Sequence, residues 1–279
     1  MAFTRKFVGT MCLFAVLSAV SCDMLDYLDA ASADSNLTQA EVVDGLKAAL
    51  SVGIDTASSQ LSVVGGYYLR EAVKILLPPD VSQAIAYAEQ VEGELAAVQA
   101  MLDLLNVKAY NLSPLIGARD SMLLSMNRAA ETAAPLSVSI FKNAITGMSI
   151  IDGFSILKGD STAAMVFLKG KTFDPLVGVY EPFIESALEK VGAQRLWQQF
   201  SSNYNAFASF YHALPASISS SLTPLPFDTL STNLSLYTTQ KGLDGLFYMV
   251  GQEEKRIRRD PVARISEILR KVFGSLDHA

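Results

Sequence analysis

Charge is scarce in this sequence, and so are the residue types that usually carry chemistry. Asp, Glu, Lys and Arg make up 18% of the 279 residues, against about 25% in an average soluble domain. Half the residues are apolar, which excludes a disordered polyelectrolyte. Two Cys cannot staple a disulfide scaffold, and two Cys with two His leave too few ligands for a dedicated zinc site. Acids outnumber bases 28 to 22, for a formal charge of −6. A nucleic-acid-binding domain is normally basic, so no nucleic-acid partner is expected. H-E-x-x-H, C-x-x-C, G-x-x-x-x-G-K-[ST] and G-x-G-x-x-G are missing, which removes zinc-protease, thiol-redox, P-loop and dinucleotide-binding classes. G-x-S-x-G is missing as well. These absences do not by themselves exclude an enzyme, but no metal, cofactor or catalytic residue is expected, and the expected role is non-enzymatic.

What is present begins with an export signal over residues 1–21. Arg5 and Lys6 precede an uncharged 14-residue stretch, Phe7 to Val20. That length suits a secretory apolar region and falls short of the ~20 residues a membrane-spanning helix needs. Ala19-Val20-Ser21-Cys22 resembles a bacterial lipoprotein cleavage site, with Ala19 where Leu is commonest. The resemblance implies that Cys22 becomes the first residue and is acylated, palmitate being one such chain. Ordinary cleavage after Ser21 satisfies the same small residues, but it leaves a lone thiol in an oxidising compartment. Removing residues 1–21 takes away two bases and no acid, leaving −8. Acyl chains on Cys22 would hold the protein at a bilayer, each buried CH₂ contributing ~0.8 kcal/mol. The expected location is the bacterial envelope, facing the periplasm; Asp23 after Cys22 resembles an inner-membrane retention signal, and the choice between inner and outer membrane stays open.

Residues 22–36, rich in Ala, Ser and Asp, read as a tether. Thr38-Gln39-Ala40-Glu41 is a capping box, and Val42, Val43, Leu46, Ala49 and Leu50 follow at helical spacing up to Gly65-Gly66. Val73, Ile75 and Leu77 alternate, which permits a short extended segment near 71–77 without an obvious partner. Pro78-Pro79-Asp80 opens a helix to about Leu105. Ser113-Pro114 starts another, expected to kink or restart at Pro135. Asp160 heads a helix whose apolar stripe includes Leu176, Val179, Phe183, Ile184 and Leu188. Trp197, Phe200, Tyr204, Phe207, Phe210 and Tyr211 concentrate aromatics; their spacing predicts core burial, with an acyl-chain pocket as the sharper alternative. Leu214 to Phe227 is the one long loop. Two helices close the chain, the last expected from Asp260-Pro261 and carrying Val262, Ile265, Leu269 and Phe273. The expected fold is all-α, a multi-helix orthogonal bundle over 37–274, with residues 275–279 as a disordered tail.

Three stretches carry a family resemblance: Gly45-Leu46-Lys47-Ala48-Ala49-Leu50-Ser51-Val52-Gly53; Ser125-Met126-Asn127-Arg128-Ala129-Ala130-Glu131; and Lys241-Gly242-Leu243-Asp244-Gly245-Leu246-Phe247-Tyr248-Met249, continuing to Arg258, Pro261 and Arg264. Together they resemble the family catalogued as domain of unknown function 4197. Gly242 departs from the pattern, where Ala is more usual. The resemblance implies export and a helical fold, and it implies no activity.

Asn127, Arg128 and Glu131 sit at i,i+3 and i,i+4 spacing among alanines that admit a close neighbour helix. They form either a site for an anionic head group or a charge network fixing helix register. Asp244, Tyr248, Glu254 and Arg258 lie on or near one helix, where Glu254 and Arg258 have the favourable i,i+4 order. Lys255 to Lys271 is locally basic and could meet anionic lipid. His212 is the one His inside the domain; a lone loop His is more often solvated. The leading expectation is a lipid-anchored module binding an amphiphile through apolar helix faces and Arg128. A protein–protein adaptor of the envelope is the alternative, and a hydrolase using Asp244, Glu254 or His212 is third.

Overall fold

The computed structural model describes residues 37–277; the export signal, Cys22, the tether and His278 lie outside the described residues. Helix α1 (Gln39–Leu61) begins where the capping box places it. The Thr38 hydroxyl accepts from the Glu41 N–H, and the Glu41 carboxylate accepts from the Thr38 N–H. Val42, Leu46, Ala49, Leu50, Ile54 and Leu61 form its buried face. The helix ends at Ser62, and Gly65 then turns the chain at φ +85°, a conformation that costs glycine nothing.

The chain continues through α2 (Pro79–Ala97), α3 (Gln99–Leu104), the single turn α4 (Ser113–Ile116), α5 (Arg119–Gly147), the short α6 (Gly153–Leu157) and α7 (Ala163–Lys190). Then come α8 (Ala193–Ala213), the single turn α9 (Ala216–Ser219), α10 (Leu234–Arg259), a 3-10 turn (Pro261–Ala263) and α11 (Glu267–Gly274). The fold is an all-α bundle, with no strand among the described residues.

Four long helices make its centre. α1 packs against α10 and α5, and α7 closes the ring by packing against the same two. Neighbours run antiparallel: Lys47 and Ser58 of α1 donate to the carbonyls of Thr146 and Ala134 of α5. Along α7, Met165 and Ile184 lie against Gly251 and Gly242 of α10. α1 comes so close to α10 and α11 that a Cβ on Gly53 would lie 3.0 Å from Val250, and one on Gly45 would lie 2.6 Å from Val272. Beside this ring, α8 packs against α4, α5 and α7, and its buried Phe207 ring meets Tyr87 and Tyr110. Trp197, Phe200, Tyr204 and Phe207 are core residues, as their spacing predicts; Phe210 and Tyr211 are half-buried.

Several boundaries differ from the sequence reading. The helix expected up to Leu105 breaks at Val98. Ser113-Pro114 starts only one turn, and the long helix begins at Arg119. α5 passes through Pro135 and α7 through Pro175 and Pro182. All three prolines are exposed, so water can serve the carbonyls that lack their donors. Asp260-Pro261 opens the 3-10 turn and α11 starts after Ser266, which leaves Val262 and Ile265 exposed. The 214–227 loop is pinned: the Thr223 N–H and hydroxyl donate to Glu94, and Tyr87 donates to the Thr223 carbonyl. Past Gly274 the chain turns through Asp277, whose carboxylate accepts from the buried Arg264 guanidinium.

The two ends of the described chain meet. The first turn of α1 carries its own cap, Lys271 of α11 pairs with Glu41 of that turn, and Val272 seats against Gly45.

Candidate functional site

The sequence-derived polar residues fall in three separate places. In the first, Asn127 is fully buried on α5 beside the irregular segment 67–77. Its side-chain amide accepts from the Ile75 N–H at 2.8 Å and donates to the Ile75 carbonyl at 2.7 Å. That is the double bond pattern an adjacent strand would offer. The extended segment permitted by the alternation is thus no strand; a side chain supplies its pairing. One turn on, the buried Glu131 carboxylate accepts from the N–H groups of Tyr67 and Tyr68 and from Arg128, the last at 2.6 Å. The Tyr67 hydroxyl donates to the Gly242 carbonyl at 2.7 Å. Burial, then the neighbouring Tyr180 and Glu131, push the Tyr67 phenol well above its usual range.

The second place joins α10 to α7. Glu254 is fully buried, and its carboxylate accepts from the N–H groups of Ala164 and Met165 in the first turn of α7. Those are donors that no residue within α7 satisfies. Arg258 neutralises Glu254 at 2.8 Å and donates to the carbonyls of Leu157 and Ile156 at the end of α6. One ion pair therefore caps one helix start and one helix end. Glu131 and Glu254 each accept from two backbone N–H groups of a neighbouring element.

The third place is a surface cleft of about 520 Å³, where Asp244 and Tyr248 of α10 meet three lysines. Lys169 of α7 pairs with Asp244 at 2.7 Å and Lys241 lies 3.8 Å from the same carboxylate. Lys74, from the segment after α1, completes the lining and lies 4.9 Å above the Tyr68 ring. None of the three lysines was a candidate site residue in the sequence, because each comes from a different element.

His212 is exposed on α8, 3.1 Å from Asp228. Asp244 and Glu254 are ten residues apart on α10, about 15 Å along the axis, so the hydrolase candidates do not gather in one place. Among the described residues no group of three His, Cys, Asp or Glu side chains could hold a metal ion, and no helix is long and apolar enough to cross a membrane. The basic stretch near the C-terminus is largely paired internally: Arg256 with Glu253, Arg258 with Glu254, Arg264 with Asp277 and Lys271 with Glu41.

One further concavity was not legible beforehand. A groove of about 900 Å³ runs between the C-terminal half of α5 and the middle of α7. Ile140, Ala144, Met148, Phe167, Leu176 and Val179 line it, with Ile151 at one end. Ile151 is 89% and Val179 55% exposed, and Leu136 and Phe183 lie one turn beyond the lining on each helix, also exposed. Its polar lining comes from Asn143, Ser149, Asp152, Lys171 and Thr172, with Lys171 the one cation among them. Val179 and Phe183, placed on the buried stripe by their spacing, thus face solvent.

These places can be set beside known proteins. Residues 36–274 match the sequence model of the DUF4197 family, described as a protein of unknown function. The chain belongs to that family. No curated protein and no solved structure matches it. Two of the three stretches that carry the DUF4197 resemblance contain the anchors described above, Asn127 with Glu131 and Glu254 with Arg258. The first, Gly45 to Gly53, is where α1 meets α10 and α11.

Proposed function

We propose that this DUF4197 protein is an envelope lipoprotein, anchored through Cys22, that serves as a non-enzymatic binding module for an anionic amphiphile. The apolar part lies in the α5–α7 groove, and the head group meets Lys171 and Asn143 at its rim. One observation carries this reading: a concave surface whose walls are mainly apolar. Its volume is near the top of the ~300–1,000 Å³ usual for small-molecule sites. Arg128, the head-group residue expected from sequence, is occupied by Glu131, so the head-group role passes to Lys171.

The test is organic extraction of the purified protein followed by mass spectrometry, with Ala144→Trp as the filled-groove control. Wild type is expected to release an acyl-bearing molecule that the variant lacks. Equal recovery from both, or none from wild type, refutes the reading. A partner's amphipathic helix would use such a groove too; a protein crosslinked at Val179→Cys in place of a lipid would replace the amphiphile with an adaptor function.

A further inference from the structure

The groove is not the only apolar surface left to solvent. Between the end of α1 and the start of α2, residues 62–77 expose Val63, Val64, Leu69 and Leu76; Val64 is 79% and Leu69 74% exposed. Four large apolar side chains standing out of 16 residues are costly in water unless something covers them. The segment carries its own anchorage: Asn127 holds Ile75, and Glu131 holds Tyr67 and Tyr68. It is thus a fixed projection of the bundle.

The same segment supplies Lys74 to the cleft in which Lys169 and Lys241 crowd around Asp244. With Arg70 the local cations number four, against Asp244 and Glu71, a formal +2 on a protein of net −6. Tyrosines accompany them: Lys74 sits over the Tyr68 ring, Lys241 lies 5.9 Å from the Tyr237 ring centre, and Tyr248 lines the cleft. Protruding aliphatic side chains, tyrosines and lysines together are the composition of a membrane–water interface, where lysines meet phosphates and aliphatic groups enter the acyl boundary.

We infer that residues 62–77 and the Lys74–Lys169–Lys241 cleft form a docking face for an anionic phospholipid bilayer. This inference stands apart from the groove reading, since it uses different residues. It is compatible with attachment through Cys22: α1 separates the face from Leu37 by about 35 Å, and the 14 residues from 23 to 36 reach up to about 48 Å when extended.

The test uses residues 23–279, which lack any acyl anchor, in sedimentation with vesicles of phosphatidylcholine alone or mixed with phosphatidylglycerol. Binding is expected only to the mixed vesicles. Lys74→Gln and Lys241→Gln should each weaken it roughly fivefold, and Val64→Asp with Leu69→Asp should abolish it, while circular dichroism stays unchanged. Ala144→Trp should bind vesicles as wild type does, which separates failure of this face from failure of the groove. Absence of vesicle binding, or binding indifferent to all four face substitutions, overturns the inference. Protection of Lys74 and Lys241 from amine modification by inorganic phosphate, without vesicle binding, overturns it in favour of a small-anion site.

Discussion

Removing the Glu254 carboxylate should reveal how much of the bundle hangs on one buried pair. In Glu254→Ala the two N–H groups of Ala164 and Met165 lose their acceptor, and Arg258 is left charged among atoms that exclude water. Breaking a buried pair from one side costs about 3–5 kcal/mol. The Leu157 and Ile156 carbonyls still receive Arg258, which keeps the loss near the lower part of that range. At about 2–4 °C per kcal/mol for a chain of this size, a 3–4 kcal/mol loss lowers the melting temperature by roughly 6–16 °C. Replacing both partners, Glu254→Leu with Arg258→Met, removes both charges and should cost at least about 1 kcal/mol less than the two single losses together. Urea unfolding followed at 222 nm gives the values for Glu254→Ala, for Glu254→Leu and Arg258→Met singly, and for the double variant. If Glu254→Ala costs under about 1 kcal/mol, or the singles simply add, the pair does not hold α6 and α7 to α10 and the reasoning fails.

Asn127→Leu should cost about 2–4 kcal/mol, because both backbone groups of Ile75 lose their partner; hydrogen exchange at the Ile75 amide should accelerate more than at core helix amides. Gly242→Ala is expected to stabilise by up to ~1 kcal/mol, since the added methyl would find its nearest neighbours, Ala130 and Ile184, at 3.8 and 3.9 Å. Gly245→Ala, three residues on, should destabilise by ~1–3 kcal/mol, because its Cβ would lie 2.6 Å from the Tyr67 ring; thermal melts of the two variants must move in opposite directions. Hydrogen bonds from Lys271, then from Thr38, hold Glu41 at a pKa of about 2 against an ordinary 4.5. Its stabilisation is complete above about pH 4.5 and is lost as the pH falls through 2, so wild type and Glu41→Gln should differ in urea midpoint at pH 6 and converge near pH 2.

The helices and the capping box were legible because short-range rules govern them: Thr38 and Glu41 are three residues apart, and Leu46 or Val250 repeat at the helical period. The i,i+3 and i,i+4 partnerships of Arg128 with Glu131 and of Glu254 with Arg258 were legible for the same reason. Their other partners were not, since the N–H groups of Tyr67 and Ala164 lie 64 and 90 residues away. The prolines misled at Pro135, where an exposed helix face tolerates a missing bond. The groove was hidden because periodicity gives a stripe but not its neighbour. Val179 and Ile184 share the apolar pattern of α7, yet Ile184 meets α10 while Val179 meets open solvent. The lysine cleft was hidden more deeply, as Lys74, Lys169 and Lys241 have no spacing relation at all.

The central claim, that the α5–α7 groove receives an acyl chain, is tested most directly by methyl NMR of residues 23–279 with a nitroxide-labelled fatty acid. Signals of Ile140, Met148, Ile151, Leu176 and Val179 should broaden on addition, while those of Leu46, Leu246 and Val272 on the far helices persist. Broadening spread evenly over exposed methyls, or none at any concentration short of micelles, would contradict it.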